Sequence, residues 1–412
     1  MEYNKKTLRD VNVEEKKVIV RVDFNVPIDK QTGKITDQTR IIEALPTIAY
    51  LIEKKAKVIL LSHLGKVKTL EDITSGKKSL KVVYEALKNL LPGTEILFHE
   101  SSKDLKIANI IKTMNNGSIL LLENTRYNDV DDKGKVVKLE SKNDPTLGKF
   151  WADLADVYVN DAFGTAHREH ASNVGIANKC KDSCIGFLVE KELTKLGKAL
   201  NNPEKPIVAI FGGAKISDKI KSIENIGKIA DKILIGGGMA YTFFKAQGYE
   251  IGKSILEEES IPIAKELLEK FKDKLMLPVD VNCAKEYEDV KPTRFAFNEI
   301  PSDYEGLDIG KKTIKTYKKI IKNSKTIIWN GPVGVSEFSN FANGTNKICK
   351  AIAKATMKNG AYSIIGGGDS AAAAIKLGYK DKFSHISTGG GASLVFFEGV
   401  PLPGVAAIKD KK

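Results

Sequence analysis

The chain has 412 residues with a formal net charge of +13, and 42% of its residues are hydrophobic. This length exceeds the size that one hydrophobic core usually serves, so we expect two domains. The polar amino terminus and the lack of an apolar run of about 18 residues argue against export and against a membrane span. Four scattered cysteines are typical of reduced thiols, so we expect a cytoplasmic protein.

The positive charge would attract anions of every kind, and nucleic acid is the first alternative to consider. The lysines, however, occur along the whole chain, and we expect them to form no dense basic block on the surface. No zinc-finger, helix-turn-helix or aromatic RNA-binding signature accompanies them. We therefore expect no nucleic-acid partner, since a solvated lysine-rich surface is the commoner cause of such a charge.

In the first half of the chain, short aliphatic or β-branched runs alternate with longer amphipathic stretches. Such alternation predicts right-handed crossover units, in which helices cover both faces of a parallel sheet. The predicted strands are residues 17–24, 57–62, 95–98, 118–123 and 156–161, and the clearest predicted helices are residues 38–54 and 79–90.

A second series of strands predicts a second sheet. The fold class expected is therefore α/β, with two doubly wound parallel-sheet (Rossmann-like) domains joined by a helical hinge. The later strands are predicted at residues 206–213, 232–238, 275–280, 326–332, 362–368 and 383–391. Residues 190–200 are good helix formers followed by Asn-Asn-Pro, which predicts a connecting helix. We expect an N-terminal domain over residues 1–185, a hinge over 186–204 and a C-terminal domain over 205–397.

Arginine is rare in this sequence and unevenly placed. Only six of the 65 basic residues are arginine, and four of these lie beside predicted strand ends in the first 170 residues. A guanidinium offers a rigid fork of donors that grips a carboxylate or phosphate at two points, so the pattern predicts an anion site. Pairing of each arginine with a surface carboxylate is the alternative. The four arginines, and the histidines in the same stretches, are Arg21, Arg40, Arg126 and Arg168 with His63, His167 and His170.

Four strands of the second half run directly into glycine. At the carboxyl ends of parallel strands, glycine lets the backbone approach a phosphate, and the following helix presents free N–H groups. The glycine turns are Gly212-Gly213, Gly236-Gly237-Gly238, Gly366-Gly367-Gly368 and Gly389-Gly390-Gly391. Their spacing fits neither a P-loop nor the dinucleotide fingerprint. This argues against a nicotinamide dehydrogenase and predicts phosphate binding distributed over several turns.

Four charged residues near these turns are candidates for ligand contacts. If residues 216–228 are helical, Lys215 and Lys219 direct both amines toward one site; two ordinary surface lysines are the alternative. Asp369 follows a glycine triplet, where it can cap the next helix, hold magnesium beside phosphate, or do both. Glu337 is placed to accept hydrogen bonds from ribose hydroxyls, and a solvated glutamate is an equal alternative.

Taken in order, these stretches resemble the motifs of the phosphoglycerate kinase family, and the resemblance spans nearly the whole chain. The matching strings are RVDFNVP (21–27), TRI (39–41), SHLGK (62–66), LLENTRY (121–127), NDAFGTAHREH (160–170), GFLVEKEL (186–193), GGAKISDK (212–219), GGGMA (236–240), NGPVGVSE (330–337), GGGDS (366–370) and STGGGASL (387–394). Several strings are individually specific, and their shared order argues against coincidence.

The resemblance implies reversible, magnesium-dependent phosphoryl transfer between 1,3-bisphosphoglycerate and ADP, giving 3-phosphoglycerate and ATP. It implies small-molecule partners, no membrane partner, a monomer, and residues 398–412 returning to the N-terminal domain. By the resemblance, the glycerate is held through Arg21, Asp23, Phe24, Asn25, Arg40, His63, Leu64, Gly65, Lys66, Arg126, His167 and Arg168. The nucleotide is held through Gly213, Ala214, Lys215, Lys219, Gly237, Gly238, Asn330, Pro332, Glu337, Gly366, Gly367, Gly368, Asp369 and Ser370, with Asp369 on magnesium.

The implied chemistry needs no catalytic base, because a phosphate oxygen of ADP or a carboxylate is already ionised at neutral pH. Alignment and charge compensation then dominate catalysis. The groups expected to supply them are Arg40, Lys215, Lys219 and the N–H groups of Gly389, Gly390 and Gly391, together with magnesium. Closure about residues 185–205 would join the two substrates and exclude water.

One motif departs from the family pattern. Where the family commonly has SHLGRP, this chain has SHLGKV, so Lys66 replaces an arginine. Lysine keeps the charge but lacks the bidentate fork, which weakens the case for Lys66 as a direct ligand. A non-catalytic, nucleotide-dependent binding module is the competing hypothesis. It predicts a lost catalytic position, yet Arg40, Lys215, Lys219 and Asp369 are all present.

Overall fold

The computed structural model describes residues 3–411, which form two compact units. The N-terminal unit comprises residues 3–193 together with 401–411, and the C-terminal unit comprises residues 194–400. Within residues 3–411, no helix is both long enough and apolar enough to cross a membrane.

The N-terminal unit is built on a parallel sheet of six strands. These are β1 (Lys17–Val22), β2 (Lys57–Leu61), β3 (Ile96–His99), β4 (Ile119–Leu122), β5 (Val157–Asp161) and β6 (Asp182–Ile185), in the order β3-β4-β2-β1-β5-β6. Its central strands are aliphatic and buried on both faces, as parallel strands between helix layers must be. Strand β6 was not predicted, because its short sequence DSCI is half polar.

Helices cover this sheet. They are α1 (Thr39–Glu53), α2 (Leu70–Thr74), α3 (Lys81–Leu90), α4 (Lys106–Thr113), α5 (Pro145–Asp153) and α6 (Phe187–Leu200). In α3, Val83, Ala86 and Leu87 are buried at the spacing of one helix face. Helix α6 begins earlier than the predicted residue 190. Two side chains cap this earlier start: Thr47 Oγ1 accepts Phe187 N at 3.0 Å, and the buried carboxylate of Asp161 accepts Leu188 N on Oδ1 at 2.9 Å.

The C-terminal unit contains a second six-stranded parallel sheet and a separate antiparallel one. Its strands are β7 (Ile207–Phe211), β8 (Lys232–Ile235), β9 (Leu275–Met276), β10 (Asp280–Ala284), β11 (Thr293–Ala296), β12 (Glu305–Ile309), β13 (Thr326–Asn330), β14 (Tyr362–Gly366) and β15 (His385–Ile386). The parallel sheet has the order β15-β14-β13-β7-β8-β9, and the antiparallel sheet the order β11-β10-β12. Two parallel sheets in an α/β fold confirm the predicted fold class.

The sequence prediction was wrong at residues 275–280, which are not one strand. Pro278 separates β9 from β10, and the two strands belong to different sheets. Proline has no N–H for a sheet ladder, which accounts for the break. The antiparallel sheet was not predicted, because its strands are short and β11 is largely exposed.

The helices of the C-terminal unit lie between these strands. They are α7 (Ile220–Gly227), α8 (Met239–Ala246), α9 (Ile261–Lys270), α10 (Lys311–Lys322), α11 (Asn343–Asn359), α12 (Gly368–Lys376) and α13 (Gly391–Phe397). Helix α7 begins at Ile220 rather than at residue 216, so Lys215 and Lys219 lie in the preceding turn and not on the helix. The last helix, α14 (Pro403–Ala406), belongs to the N-terminal unit, where Gly404 N donates to Ala166 O at 2.8 Å.

Strand order places each candidate site. In the N-terminal sheet, β1 lies between β2 and β5. The strands β2, β3 and β4 lie on one side of it and β5 and β6 on the other, so the strand order reverses at β1. The C-terminal sheet repeats this reversal around β7, which is flanked by β8 and β13. In open parallel sheets, ligands bind outside the carboxyl ends of strands at such reversals. The predicted site residues follow these strand ends.

Candidate active site

Arg21 is the penultimate residue of β1, and its side chain is fully buried. Its Nε donates to Ser172 Oγ at 2.7 Å, and its Nη2 donates to His63 Nδ1 at 3.0 Å. The third nitrogen, Nη1, donates to the carbonyl oxygen of Val22 at 2.5 Å. Because all three nitrogens are engaged inside the protein, the geometry makes Arg21 a support for His63.

Two buried histidines follow strand ends in this region. His63 accepts a hydrogen bond on Nδ1, so its proton lies on Nε2. Burial and the positive charges of Arg21 and Arg126 hold the pKa of His63 well below its usual value. Burial and Arg21 also lower the pKa of His170 to about 3. Both imidazoles are therefore neutral at pH 7.

The four rare arginines act on this pair of histidines. The charges of Arg21, Arg126 and Arg40 lower the pKa of His63, and Arg21, Arg126 and Arg168 lower that of His170. Among residues 3–411, Arg40 alone of the four forms an ion pair, with Asp23. The arginines thus converge on one region rather than pairing with separate surface carboxylates. We call this group of four arginines and His63, His167 and His170 the cationic cluster.

Arg40 lies in the first turn of α1, and its side chain is 36% exposed. Its Nη1 donates to Asp23 Oδ2, and Asp23 Oδ1 accepts the backbone N–H of Asn25 at 3.2 Å. Gly164 packs directly against this pair, since a Cβ there would lie 2.4 Å from Asp23 Oδ2. The loop after β5 must therefore carry glycine at this point for Arg40 and Asp23 to meet.

The loops after β2 and β4 hold Arg126. Its Nη1 donates to the carbonyl oxygen of Gly65 at 2.6 Å, while Gly65 N donates to Asn25 Oδ1 at 2.8 Å. Asn124 fixes the same loop through its amide, which donates to Leu64 O at 2.8 Å. Within the described chain, Arg126 Nε is buried without a hydrogen-bond partner. A buried donor left open in this way suits a bound anion.

The remaining residues predicted to contact the glycerate differ in how far their side chains are exposed. The Phe24 and Leu64 side chains are packed in the hydrophobic core, so only their main chains face the loops. Lys66 and Arg168 are exposed. His167 is half-buried, and burial together with Arg168 lowers its pKa.

In the C-terminal unit, three glycine turns pack backbone against backbone. Gly212 N donates to Asn330 O at 3.0 Å, and Gly213 N donates to Pro332 O at 2.9 Å. A Cβ on Gly212 would lie 2.0 Å from Pro332 O, and one on Gly237, where φ is +68°, would lie 2.7 Å from Gly213 N. These glycines are required because the turns touch. Most of their amides donate to carbonyl oxygens of neighbouring segments. The turns therefore form a rigid wall, which we call the glycine wall, rather than a row of N–H groups that are free to bind a ligand.

Lys219 and Asn330 form the polar centre of this wall. The amine of Lys219 donates to Asn330 Oδ1, and burial lowers the pKa of this lysine although Asp218 and Asp369 oppose the shift. Asn330 is 1% exposed, and its Nδ2 is buried without a hydrogen-bond partner in the described part of the chain. Lys215 is exposed, so its contact with the same site stays a prediction.

Asp369 lies in the first turn of α12 and is exposed. It is not the N-cap residue, because Gly367 occupies that position with φ of +93°. Ser370 Oγ instead donates back to Gly366 O at 2.8 Å and accepts Gly331 N at 3.3 Å. The expected capping role of Asp369 was therefore wrong, and its carboxylate faces solvent beside the free amides of a helix N-terminus.

These turns border a cavity of about 560 Å³ within the C-terminal unit. Its lining is mixed, with glycine turns on one side and apolar side chains on the other. It includes Gly213, Ala214, Gly237, Gly238, Pro332, Glu337 and Asp369, together with Tyr287, Leu307 and Val335. The hydroxyl of Tyr287 donates to Glu337 Oε1 at 3.1 Å. The volume is that of a small-molecule site, and the lining places apolar side chains opposite the glycine turns.

Gly389 and Gly390 precede α13. Gly389 N donates to Ser387 Oγ at 3.1 Å, and Gly390 has φ of +50°. Strand β15, which precedes them, pairs with β14, which leads into the Gly366-Gly367-Gly368 turn. Their catalytic role remains a prediction.

Sequence reasoning missed several contributors. Ser172 accepts a hydrogen bond from Arg21 and donates one to Glu140, but neither residue lies in a string with a glycine-turn or arginine signal. Tyr287, Leu307 and Val335 line the cavity from the unpredicted antiparallel sheet and its neighbouring loops. Gly164 and Asn124 could have been found, because both lie inside the motif strings quoted above.

Known proteins resemble this chain over its full length. A family model described as phosphoglycerate kinase matches residues 8–400. The phosphoglycerate kinase of Malacoplasma penetrans is 63% identical over 412 residues, covering 100% of this chain and 88% of that one. That of Enterococcus faecalis is 56% identical over 408 residues, covering 99% and 100%.

Solved structures agree. The phosphoglycerate kinase of Coxiella burnetii superimposes with a TM-score of 0.84 at 39% identity, covering 98% of both chains. The enzyme of Pyrococcus horikoshii OT3 gives 0.80 at 33% identity, again covering 98% of both. The cationic cluster lies at strand ends of one sheet, and the cavity beside the glycine turns, here called the glycine-walled cavity, lies at strand ends of the other. The family model and these relatives show that this chain belongs to the phosphoglycerate kinase family.

Proposed function

We propose that this protein catalyses reversible phosphoryl transfer between 1,3-bisphosphoglycerate and ADP, giving 3-phosphoglycerate and ATP in glycolysis and gluconeogenesis. The N-terminal unit binds the glycerate, and the C-terminal unit binds the nucleotide. The observation that carries the proposal is the convergence of four arginines on two neutral histidines. Arg40 pairs with Asp23, and Arg21 lies within electrostatic range of the buried Glu140. Within residues 3–411, Arg126 Nε has no hydrogen-bond partner, and Arg168 is exposed, so a phosphate and a carboxylate supply partners for these two arginines.

In the glycerate site, the free donors of Arg40, Arg126 and Arg168 hold the phosphate and carboxylate groups. His63 donates from Nε2, because Arg21 occupies its other nitrogen. Asn25 and the Gly65 loop fix the distance between these donors. Lys66 contributes charge from an exposed position rather than a bidentate contact.

In the nucleotide site, Leu307 and Val335 contact the base, Glu337 accepts from the ribose, and the phosphates lie along the glycine turns toward Lys219. Asn330 Nδ2 donates to a phosphate oxygen, which satisfies its open donor. The first amides of α12 add donors at the positive end of a helix.

Magnesium fits this donor set. The described residues contain no group of three potential metal ligands, and magnesium commonly uses one carboxylate with phosphate oxygens and water. The exposed carboxylate of Asp369 beside the cavity is that ligand. When bound, the ion neutralises phosphate charge.

No residue has to take a proton during the transfer. The acceptor is a phosphate oxygen or a carboxylate, both ionised at neutral pH. Arg40 and Lys219 lower the barrier by compensating charge on the moving group, and Lys215 with the amides of Gly389 and Gly390 assists. We also propose that movement about residues 186–204 brings the two bound substrates together and excludes water.

A steady-state assay tests the activity. ATP formation is followed from enzymatically generated 1,3-bisphosphoglycerate and ADP, coupled to reduction of NADP by hexokinase and glucose-6-phosphate dehydrogenase. The proposal predicts turnover in the ordinary range of kinases, about 1 to 100 per second or faster. Nucleotide binding without ATP formation would instead support the non-catalytic binding module.

Asp369→Asn should weaken binding of MgADP about tenfold and leave binding of metal-free ADP unchanged, because only the metal contact is lost. Titration calorimetry with and without a chelator measures both affinities. Asp381→Asn, an exposed aspartate elsewhere in the same unit, is the matched control. Equal weakening with and without metal would contradict the assignment of Asp369.

Binding of 3-phosphoglycerate should raise the pKa of His63 and of His170. In the free protein, burial and the arginine charges hold the pKa of both imidazoles below its usual value, and the bound anion offsets the arginine charges. Nuclear magnetic resonance titration of the imidazole groups measures the change. His385, in the other unit, is the control. Titrations unchanged by the ligand would place the glycerate elsewhere.

We propose further that the enzyme is a cytoplasmic monomer. All four cysteines are buried and unbridged, which suits a reducing compartment.

A further inference from the structure

A second concave surface lies in the C-terminal unit between α10 and α11. Its volume is about 840 Å³, larger than that of the glycine-walled cavity, and the two share no lining residue. Nine of its lining residues are cationic. They are Arg294 of β11, Lys311, Lys312, Lys315, Lys318, Lys319 and Lys322 of α10, and Lys347 and Lys354 of α11. We call this surface the lysine groove.

The lysine groove carries uncompensated charge. None of its lining residues is an aspartate or glutamate. Arg294 lies 3.9 Å from the buried Asp280, whereas the eight lysines form no ion pair with any residue in the range 3–411. All eight lysines are exposed. Six of the eight lysines lie within residues 311–322 of the sequence, and folding places Lys347 and Lys354 in the same groove.

Helix stability does not explain this arrangement. Lys311 and Lys312 occupy the first turn of α10, where the helix dipole disfavours positive charge. Lys315 and Lys319, like Lys318 and Lys322, repel each other at a spacing of four residues. The helix dipole favours only Lys319 and Lys322, which lie in the last turn. The first-turn lysines and the repulsion between neighbouring lysines oppose helix stability, so a ligand for these charges is the simpler explanation.

Spacing along α10 suits an extended polyanion. Lys311, Lys315, Lys318 and Lys322 follow one helix face and span about 16 Å at a rise of about 1.5 Å per residue. A nucleic-acid duplex presents one negative charge per about 1.7 Å of its axis, so about ten phosphates lie along this length. Lys347 and Lys354 line the facing side two helical turns apart.

The composition of the groove distinguishes among polyanions. Lysine is a point charge that suits single phosphate oxygens, whereas carboxylate recognition favours the arginine fork. No aromatic residue lines the groove, so it offers no stacking platform for unpaired bases. Its concave shape suits a narrow phosphate ridge better than a flat lipid surface.

We propose that the lysine groove binds the sugar–phosphate backbone of a nucleic-acid duplex without sequence preference. This inference goes beyond the kinase activity and uses none of its residues. It also revises the expectation of no nucleic-acid partner, which assumed that the lysines form no dense block and overlooked the six lysines within residues 311–322. Folding gathers these six with Lys347 and Lys354 on two neighbouring helices.

The test is fluorescence anisotropy of a labelled 20-base-pair DNA duplex with the full-length protein, between about 50 and 200 mM salt. The variant replaces Lys311, Lys315, Lys318 and Lys322 by glutamine, which has similar helix propensity. The control variant replaces Lys30, Lys34, Lys103 and Lys133 by glutamine, removing the same charge from exposed sites of the N-terminal unit. Circular dichroism and kinase activity report that both variants are folded.

We expect the groove variant to bind the duplex at least about tenfold more weakly at the lowest salt, with a salt slope flatter by about 3 to 4, since each lysine contact contributes about one unit. The control should retain the affinity of the unmodified protein, as should protein saturated with 3-phosphoglycerate and MgADP. Equal losses in both variants would overturn the proposal. Displacement of the duplex by the substrates would also overturn it, as would groove-dependent binding only of polyglutamate, inorganic polyphosphate or anionic lipid vesicles.

Discussion

Arg40→Ala is expected to lower kcat about 10³-fold while changing the affinity for MgADP less than about twofold. Arg40 is the partly exposed arginine of the cationic cluster, and Asp23 and Gly164 fix its position. An arginine that compensates charge on a transferring phosphoryl group contributes about 10³ to 10⁵ in rate. We expect its loss to act on the transition state, because the proposed nucleotide contacts belong to the C-terminal unit.

Steady-state kinetics and calorimetry of MgADP separate these effects. Arg40→Lys should recover part of kcat, because it restores the charge without the fork. Lys34→Ala, which removes an exposed positive charge from the same unit, should leave kcat unchanged. A fall in MgADP affinity as large as the fall in kcat would contradict the assigned role.

Lys219→Ala is expected to lower kcat about 10²- to 10³-fold. The amine is mostly buried and already donates to Asn330, so it needs little reorganisation to meet developing charge. Binding of 3-phosphoglycerate should be unaffected, because the proposed glycerate contacts lie in the N-terminal unit. The change in kcat should therefore appear at saturating concentrations of both substrates.

Lys221→Ala is the matched control for Lys219→Ala. Lys221 is two residues away on α7 and exposed, so its removal changes net charge equally without reaching the cavity. Similar rates for the Lys219 and Lys221 variants would show that Lys219 acts only through general charge.

The parallel sheets and most of their strands could be predicted, because buried parallel strands appear as short aliphatic runs between amphipathic helices. The small antiparallel sheet could not, since the exposed strand β11 has no such pattern. Helix ends were less predictable than strands. Thr47 and Asp161 cap the earlier start of α6, and only the folded chain brings these side chains to Phe187 and Leu188.

Arginine scarcity and glycine turns located the candidate sites, but they did not assign tasks to individual residues. Arg21 and Arg126 look alike in sequence; only tertiary contacts show that Arg21 is engaged with Ser172 and His63, whereas Arg126 keeps an open donor. The lysine groove is the opposite case. Six of its lysines are already clustered in the sequence of α10, but the groove itself, with Lys347 and Lys354 on its other side, depends on how α10 packs against α11.

Hydrogen–deuterium exchange with each substrate alone tests the division of labour most directly. With 3-phosphoglycerate, we expect slower exchange in the loops after β1, β2 and β4 and unchanged exchange around the glycine turns. With MgADP, we expect protection of residues 212–219, 236–240 and 366–370 and none near His63. If one ligand alone protected both regions, the result would contradict separate binding of the glycerate and the nucleotide.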